Sequence, residues 1–123
     1  MVQVLISHSE QDRAVAQRLA AFLEGQGRTV RWGTTPRRDA APHDSSLAEI
    51  AAAKLVIVIW SRSSVAAAFV LQEAIAARDA RKLLPVVHSD AQPKAIPVRD
   101  ANEPMLDVSD LLQISLAVFA SIR

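Results

Sequence analysis

The chain has 123 residues, no cysteine and a formal net charge of +1, a size that fits one domain with a core of its own. The missing cysteines exclude disulfides, thiolate nucleophiles and zinc sites built on Cys, and they fit a reducing compartment. With 22% charged residues in near balance and no tyrosine, the chain offers neither a basic field for nucleic acid or anionic lipid nor a base-stacking surface.

Val2 to Ile6 reads as a buried first strand, ended by Ser7-His8-Ser9. Ser9 is placed to cap the next helix, with Asp12 resembling the second half of a capping box. Val15, Leu19, Phe22 and Leu23 form that helix's apolar stripe, and Gly25 and Gly27 end it. Arg28 to Trp32 is a second strand. Gly33 to Asp44 is a long polar loop with Pro36 and Pro42, a type that is usually functional or mobile. Ser45 or Ser46 can cap a short helix through Leu47, Ile50 and Ala53.

Lys54 to Trp60 is apolar on both faces, as a central parallel strand must be when helices cover both sides. After the turn Ser61 to Ser64, the alanine-rich stretch Val65 to Ala80 predicts a helix. Lys82 to Val87 is a fourth strand, and Pro85 within it suggests a place near the sheet edge. His88 to Pro104 is irregular and Met105 to Val108 is a short fifth strand. Ser109 is expected to cap a last helix with Leu111, Leu112, Ser115, Leu116 and Phe119 on its stripe.

This order predicts an α/β, three-layer, flavodoxin-like fold. Its five-stranded parallel sheet, order 2-1-3-4-5, is flanked by helices. Ligands then bind beyond the C-termini of strands one and three, where the order reverses. Ser7, His8 and Ser9 stand on one side of that mouth, and Trp60, Ser61 and Arg62 on the other. The longest apolar run, Leu55 to Trp60, is a strand length, so no bilayer span is expected. The N-terminus lacks a signal-peptide pattern, so a cytoplasmic protein is expected.

Several chemistries have no motif here. The glycines match neither a dinucleotide fingerprint nor a phosphate loop. His8, His43 and His88 share no metal-ligand spacing, so no metal is expected. No paired carboxylates follow strand one, which argues against a response-regulator type of acidic pocket. Glu73 stands out: its helical neighbours Phe69, Val70, Ala76 and Ala77 carry no charge. Two readings stand side by side, an ordinary solvated acid or a partly desolvated functional carboxylate.

The string Val4-Leu5-Ile6-Ser7-His8-Ser9-Glu10-Gln11-Asp12 resembles the opening of bacterial Toll/interleukin-1 receptor (TIR) domains. Val56 to Ser61, followed by Ser64-Val65, Phe69-Val70 and Glu73, is similar to their third strand and following helix. Lys82-Leu83-Leu84-Pro85-Val86 and Leu106-Asp107-Val108-Ser109-Asp110 fit as well, so the resemblance runs along nearly the whole chain. Phe69 stands where Trp is usual, Leu5 where Phe is frequent, and the loop with Pro36, Arg37, Arg38 and Asp39 lacks the family's acidic-Leu-Gly pattern.

The resemblance implies a single domain over residues 1–123, of a kind often excised from a longer protein in which a sensor is fused to it. It implies cleavage of NAD+ at the nicotinamide–ribose bond, with NAD+ as substrate and no other cofactor. Glu73 is then the catalytic carboxylate. Ser7, His8, Ser9, Trp60, Ser61 and Phe69 would line the substrate. Pro36, Arg37, Arg38 and Asp39 would belong to a loop that contacts a neighbouring copy, activity depending on self-assembly in a defence or signalling protein. The alternative is a non-enzymatic module that binds other TIR domains.

Overall fold

The computed structural model describes residues 3–32, 50–66, 68–88 and 106–121. The loop with Pro36, Arg37, Arg38 and Asp39, and the cap expected at Ser45 or Ser46, lie outside the described residues. Five strands are present: β1 (Val4–Ser7), β2 (Val30–Arg31), β3 (Leu55–Trp60), β4 (Leu83–Val87) and β5 (Leu106–Asp107). Among the described residues the helices α1 (Arg13–Glu24), α2 (Ala68–Asp79) and α3 (Leu111–Ser121) accompany them, together with helical residues at 50–52. The sheet is parallel throughout, in the order β2-β1-β3-β4-β5, as the sequence predicts.

The centre of the sheet is β3, and all six of its residues are buried. Alternation divides them between two cores. Leu55, Ile57 and Ile59 join Ala16, Leu19, Ala20 and Leu23 of α1 and Ile114 and Val118 of α3. Val56, Val58 and Trp60 join Ile50, Ala53 and Val70, Ala74 and Ala77 of α2 on the other face. Small residues on α2 let that helix lie close to the sheet. No helix among the described residues is long and apolar enough to cross a membrane.

Pro85 does lie near the sheet edge, as the sequence suggests, because β4 is next to the edge strand β5. The carbonyl of Lys82 and the N–H of His88 bond to β3, whereas the carbonyl of Val87 accepts from Val108. Odd-numbered residues of β4 therefore face β5, and the described pairs with β5 are Val86 with Leu106 and Val87 with Asp107. Pro85 lacks its donor on that side of the strand, outside these pairs.

Of the apolar residues in the stripe expected on the last helix, Leu111 packs on the core and the others do not. Leu112, Leu116 and Phe119 are exposed at 68%, 55% and 67%, and Ile114 and Val118 are buried instead. The helix has no charged residue, so periodicity could not choose its inner side. Its cap is also different: Asp110 Oδ1 accepts from the Gln113 N–H, 3.2 Å. Ser109 turns back to Asp107, giving its N–H (2.9 Å) and its hydroxyl (2.6 Å) to Oδ1. The α2 helix is preceded by a 3-10 turn at Ser64–Ala66 and begins later than the sequence suggests.

Both α1 and α2 end in the paired reverse bonds of a Schellman motif. Arg28 N–H reaches Leu23 C=O (3.1 Å) and Gly27 N–H reaches Glu24 C=O (3.0 Å). Lys82 N–H reaches Ala77 C=O (3.0 Å) and Arg81 N–H reaches Arg78 C=O (2.9 Å). The first motif places Gly27 at φ +88° and the second places Arg81 at φ +59°. Lys82 then ties α2's end to the helical turn at residues 50–52, its Nζ donating to the carbonyls of Ile50, Ala51 and Ala53 at 2.8, 3.1 and 2.8 Å.

The left-handed position suits glycine and strains a side chain. Arg81→Gly should therefore raise stability by about 0.5–1 kcal/mol in denaturant unfolding. Gly27→Ala should lower it by about 1 kcal/mol, purely through conformation, since a Cβ there meets nothing within 4 Å.

The Ser109 hydroxyl and then its N–H hold the Asp107 carboxyl below its ordinary value, with a smaller pull from the His88 charge. A depressed carboxylate stabilises the fold above its unfolded value and loses that contribution as pH falls through the folded one. Ser109→Ala should move the Asp107 titration upward in carbon-detected NMR. The stability gap between the two proteins should close in the acid range.

Candidate functional site

The mouth of the sheet lies where β1 and β3 run side by side and the chain leaves them in opposite directions. Ser7 ends β1, in register with Val58. Its hydroxyl donates to Glu73 Oε1 at 2.7 Å, joining β1 to the middle of α2 across 66 residues of sequence. Ser7 is buried and Glu73 is partly exposed. One carboxylate oxygen is thus fixed from below by a charge-assisted bond.

His8 is buried and clasps two carbonyls: Nδ1 lies 2.8 Å from Ser9 O and Nε2 lies 2.7 Å from Trp32 O. A ring that donates to both carries both protons; a neutral ring donates to one. The imidazole also sits beside the Trp32 indole, with centroids 6.5 Å apart. It ties the loop after β1 to the end of β2.

A cluster of hydroxyls gathers around Asp12. Asp12 Oδ2 accepts from Ser9 Oγ at 2.9 Å and from Ser61 Oγ in a short bond. Ser63 Oγ lies 2.7 Å from Ser9 Oγ and 3.0 Å from Ser61 Oγ. Ser61 and Ser64 bind each other's backbone: Ser61 N–H donates to Ser64 Oγ (2.7 Å) and Ser64 N–H to Ser61 Oγ (3.1 Å). The capping box expected of Ser9 and Asp12 is replaced by this side-chain bond, and Ser9 makes no side-chain cap. Only the Asp12 N–H returns to Ser9, bonding its carbonyl at 3.0 Å.

The structure brings Ser7, His8, Ser9, Ser61 and Glu73 to one end of the sheet. It does not give all of them a surface to meet a ligand. Trp60 is 0% exposed, and its indole packs in the core with Val70 and Ala74. Its Nε1 has no hydrogen-bond partner among the described residues. A substrate-lining Trp60 is corrected to a packing residue, because no part of it reaches the mouth. Ser61 is also fully enclosed, and it is an anchor for Asp12 rather than a lining group. Phe69 lies in α2, with its side chain outside the described residues. Among the described residues no group of three or more His, Asp or Glu could hold a metal.

Asp12 is the residue that the sequence undervalued. Ser9 three residues before it and Ser61, Ser63 and Ser64 in one turn were the available signals. Their convergence depends on β1–β3 pairing, which no local pattern states.

The sequence matches the family model for the TIR domain over residues 4–117. The chain belongs to the TIR domain family. Solved structures with the same fold include the TIR domains of the activated Roq1 resistosome that recognises the pathogen effector XopQ. There the TM-score is 0.58 and the identity 15%, over 72% of this chain and 58% of that chain. They also include a metazoan TIR-STING receptor from C. gigas in complex with 2′,3′-cGAMP. There the TM-score is 0.68 and the identity 19%, over 97% of this chain and 38% of that chain. This TIR domain thus spans less than two thirds of either protein. No protein of curated function matches it by sequence.

Proposed function

We propose that this TIR domain hydrolyses NAD+ at the nicotinamide–ribose bond, with Glu73 as the catalytic carboxylate. The observation that carries the reading is the bond from Ser7 Oγ to Glu73 Oε1, which aims an anion at the mouth between β1 and β3. The chemistry suits one carboxylate. The C1′–N bond breaks, its electron pair goes to the pyridinium nitrogen, and nicotinamide leaves neutral. No general acid is needed, unlike the usual glycosidase pair. Glu73 would hold ribose hydroxyls and stabilise the oxocarbenium-like centre, an effect that grows where water is excluded. Water then adds at C1′ and loses a proton to give ADP-ribose, or a nucleophile of the same molecule adds to give the cyclic product. Ser7 orients Glu73, while His8 and Ser9 form the floor beneath the dinucleotide.

The resistosome and receptor contexts of the structural relatives support a cytoplasmic defence or signalling role, with a sensor fused to the domain and activity gained on self-assembly. The loop holding Pro36, Arg37, Arg38 and Asp39 is the assembly element in this reading. A second reading, a non-enzymatic TIR–TIR interaction module, is favoured by the exposed apolar stripe Leu112, Leu116 and Phe119.

Nicotinamide release from NAD+ tests the first reading. Glu73→Gln should lower it about 10²–10³-fold, the scale of a preorganised electrostatic group. Ser7→Ala should lower it about 3- to 10-fold, the loss of one orienting bond. Unchanged turnover in Glu73→Gln would sink the assignment. The module reading predicts association, seen by sedimentation and weakened by Leu116→Asp, with no nicotinamide released at any protein concentration.

A further inference from the structure

We infer that Asp12 is the positioning residue of this site, a buried carboxylate that locks the loop after β1 to the loop after β3 and so fixes Ser7 against Glu73. Asp12 is 5% exposed, yet it remains an acid in a place where an apolar residue would avoid desolvation. Its Oδ2 is occupied by two hydroxyls. Ser9 has one hydroxyl proton and gives it to Oδ2; Ser61 has one and gives it to the same oxygen. Ser63 Oγ, within reach of both serines, can then only donate to one of them. The charge on Asp12 therefore sets the direction of these three hydroxyls.

The consequence reaches Glu73 through the chain. Ser9 is anchored by its side chain to Asp12 and by its carbonyl to the Asp12 N–H and the His8 ring. Two residues earlier, Ser7 holds Glu73. On the other side Ser61 is anchored both to Asp12 and to Ser64, at the start of the turn that leads into α2. Asp12 thus grips both approaches to the Ser7–Glu73 bond without touching it. Without the carboxylate, Ser9 and Ser61 lose the charged acceptor that joins them, Ser63 Oγ is the neutral acceptor left within reach of both, and the tie between the two loops slackens.

The activity arm of the test rests on the reading of Glu73 above; a second arm does not. Asp12→Ala, Asp12→Asn, Ser61→Ala and the double variant Asp12→Ala/Ser61→Ala are compared for nicotinamide release and for amide hydrogen exchange. Asp12→Ala should lower kcat at least about tenfold with KM within about twofold, a split expected when a catalytic group is misaimed rather than binding lost. Asp12→Asn, whose amide oxygen can accept both hydroxyls, should recover most of that loss. The double variant should be no worse than Asp12→Ala, because the two residues share one network.

Exchange protection should fall at residues 9–12 and 61–64 and persist in β3. Unchanged kcat in Asp12→Ala, or protection lost evenly through β3 and α1, would overturn the proposal. Asp12→Asn and Ser61→Ala carry the exchange test if the alanine variant does not fold. If the wild-type domain releases no nicotinamide, the Glu73 reading fails, and the exchange pattern alone decides whether Asp12 is the lock.

Discussion

Four register pairs between β1 and β3 determine where every polar group at the mouth can stand: Val4 with Leu55, Leu5 with Val56, Ile6 with Ile57 and Ser7 with Val58. A slip of one residue would send each β1 side chain to the opposite layer. Val4 and Ile6 would leave the core they share with α1 and α3, and Leu5 would leave the core it shares with α2. That penalty falls on fully buried side chains, so the pairing is strongly specified. Ser7 faces the α2 layer, where Glu73 waits, only because Leu5, two residues earlier, packs on that same side. The polar contact at the mouth is a consequence of the apolar pattern below it.

The same geometry divides the work between two acids. Asp12 lies under the surface and is occupied by the Ser9 and Ser61 hydroxyls. Glu73 is partly exposed and is oriented on one oxygen by Ser7. A buried carboxylate without donors would be very costly, and with them it becomes a rigid joint. The distinction drawn between scaffold and candidate catalyst follows from burial, not from residue type.

Much of the fold could be read from the chain because its strongest signals are non-local only in their consequences. The run Leu55 to Trp60 declared a strand covered on both faces, and Gly27 declared the end of α1. Strand order followed from the alternation of strands and helices. Other features needed the third dimension. Pro85 points to a place near an edge, and β4 does lie next to the edge strand β5, but which side of β4 loses a donor is set by the sheet. In α3, Leu112, Leu116 and Phe119 and the buried Ile114 and Val118 are equally apolar. Only the sheet's shape picks the inner face. Helices with charged residues on one side, such as α1, do not suffer this ambiguity.

The site shows the same boundary between local and assembled information. Glu73 was visible because its helical neighbours are apolar, and that is a property of one segment. Trp60 misled for a related reason: a strand end is close to the mouth, yet side chains alternate, and this one points into the α2 core. Asp12 was half-visible, since its spacing from Ser9 suggested a helix cap. A cap would have used the backbone N–H groups of one helix. The acid instead recruits a serine from the turn after β3, 49 residues away. Residues that bridge separate segments leave only half of their signature in each, which is why the residue proposed to hold this mouth together is the one that the sequence described least well.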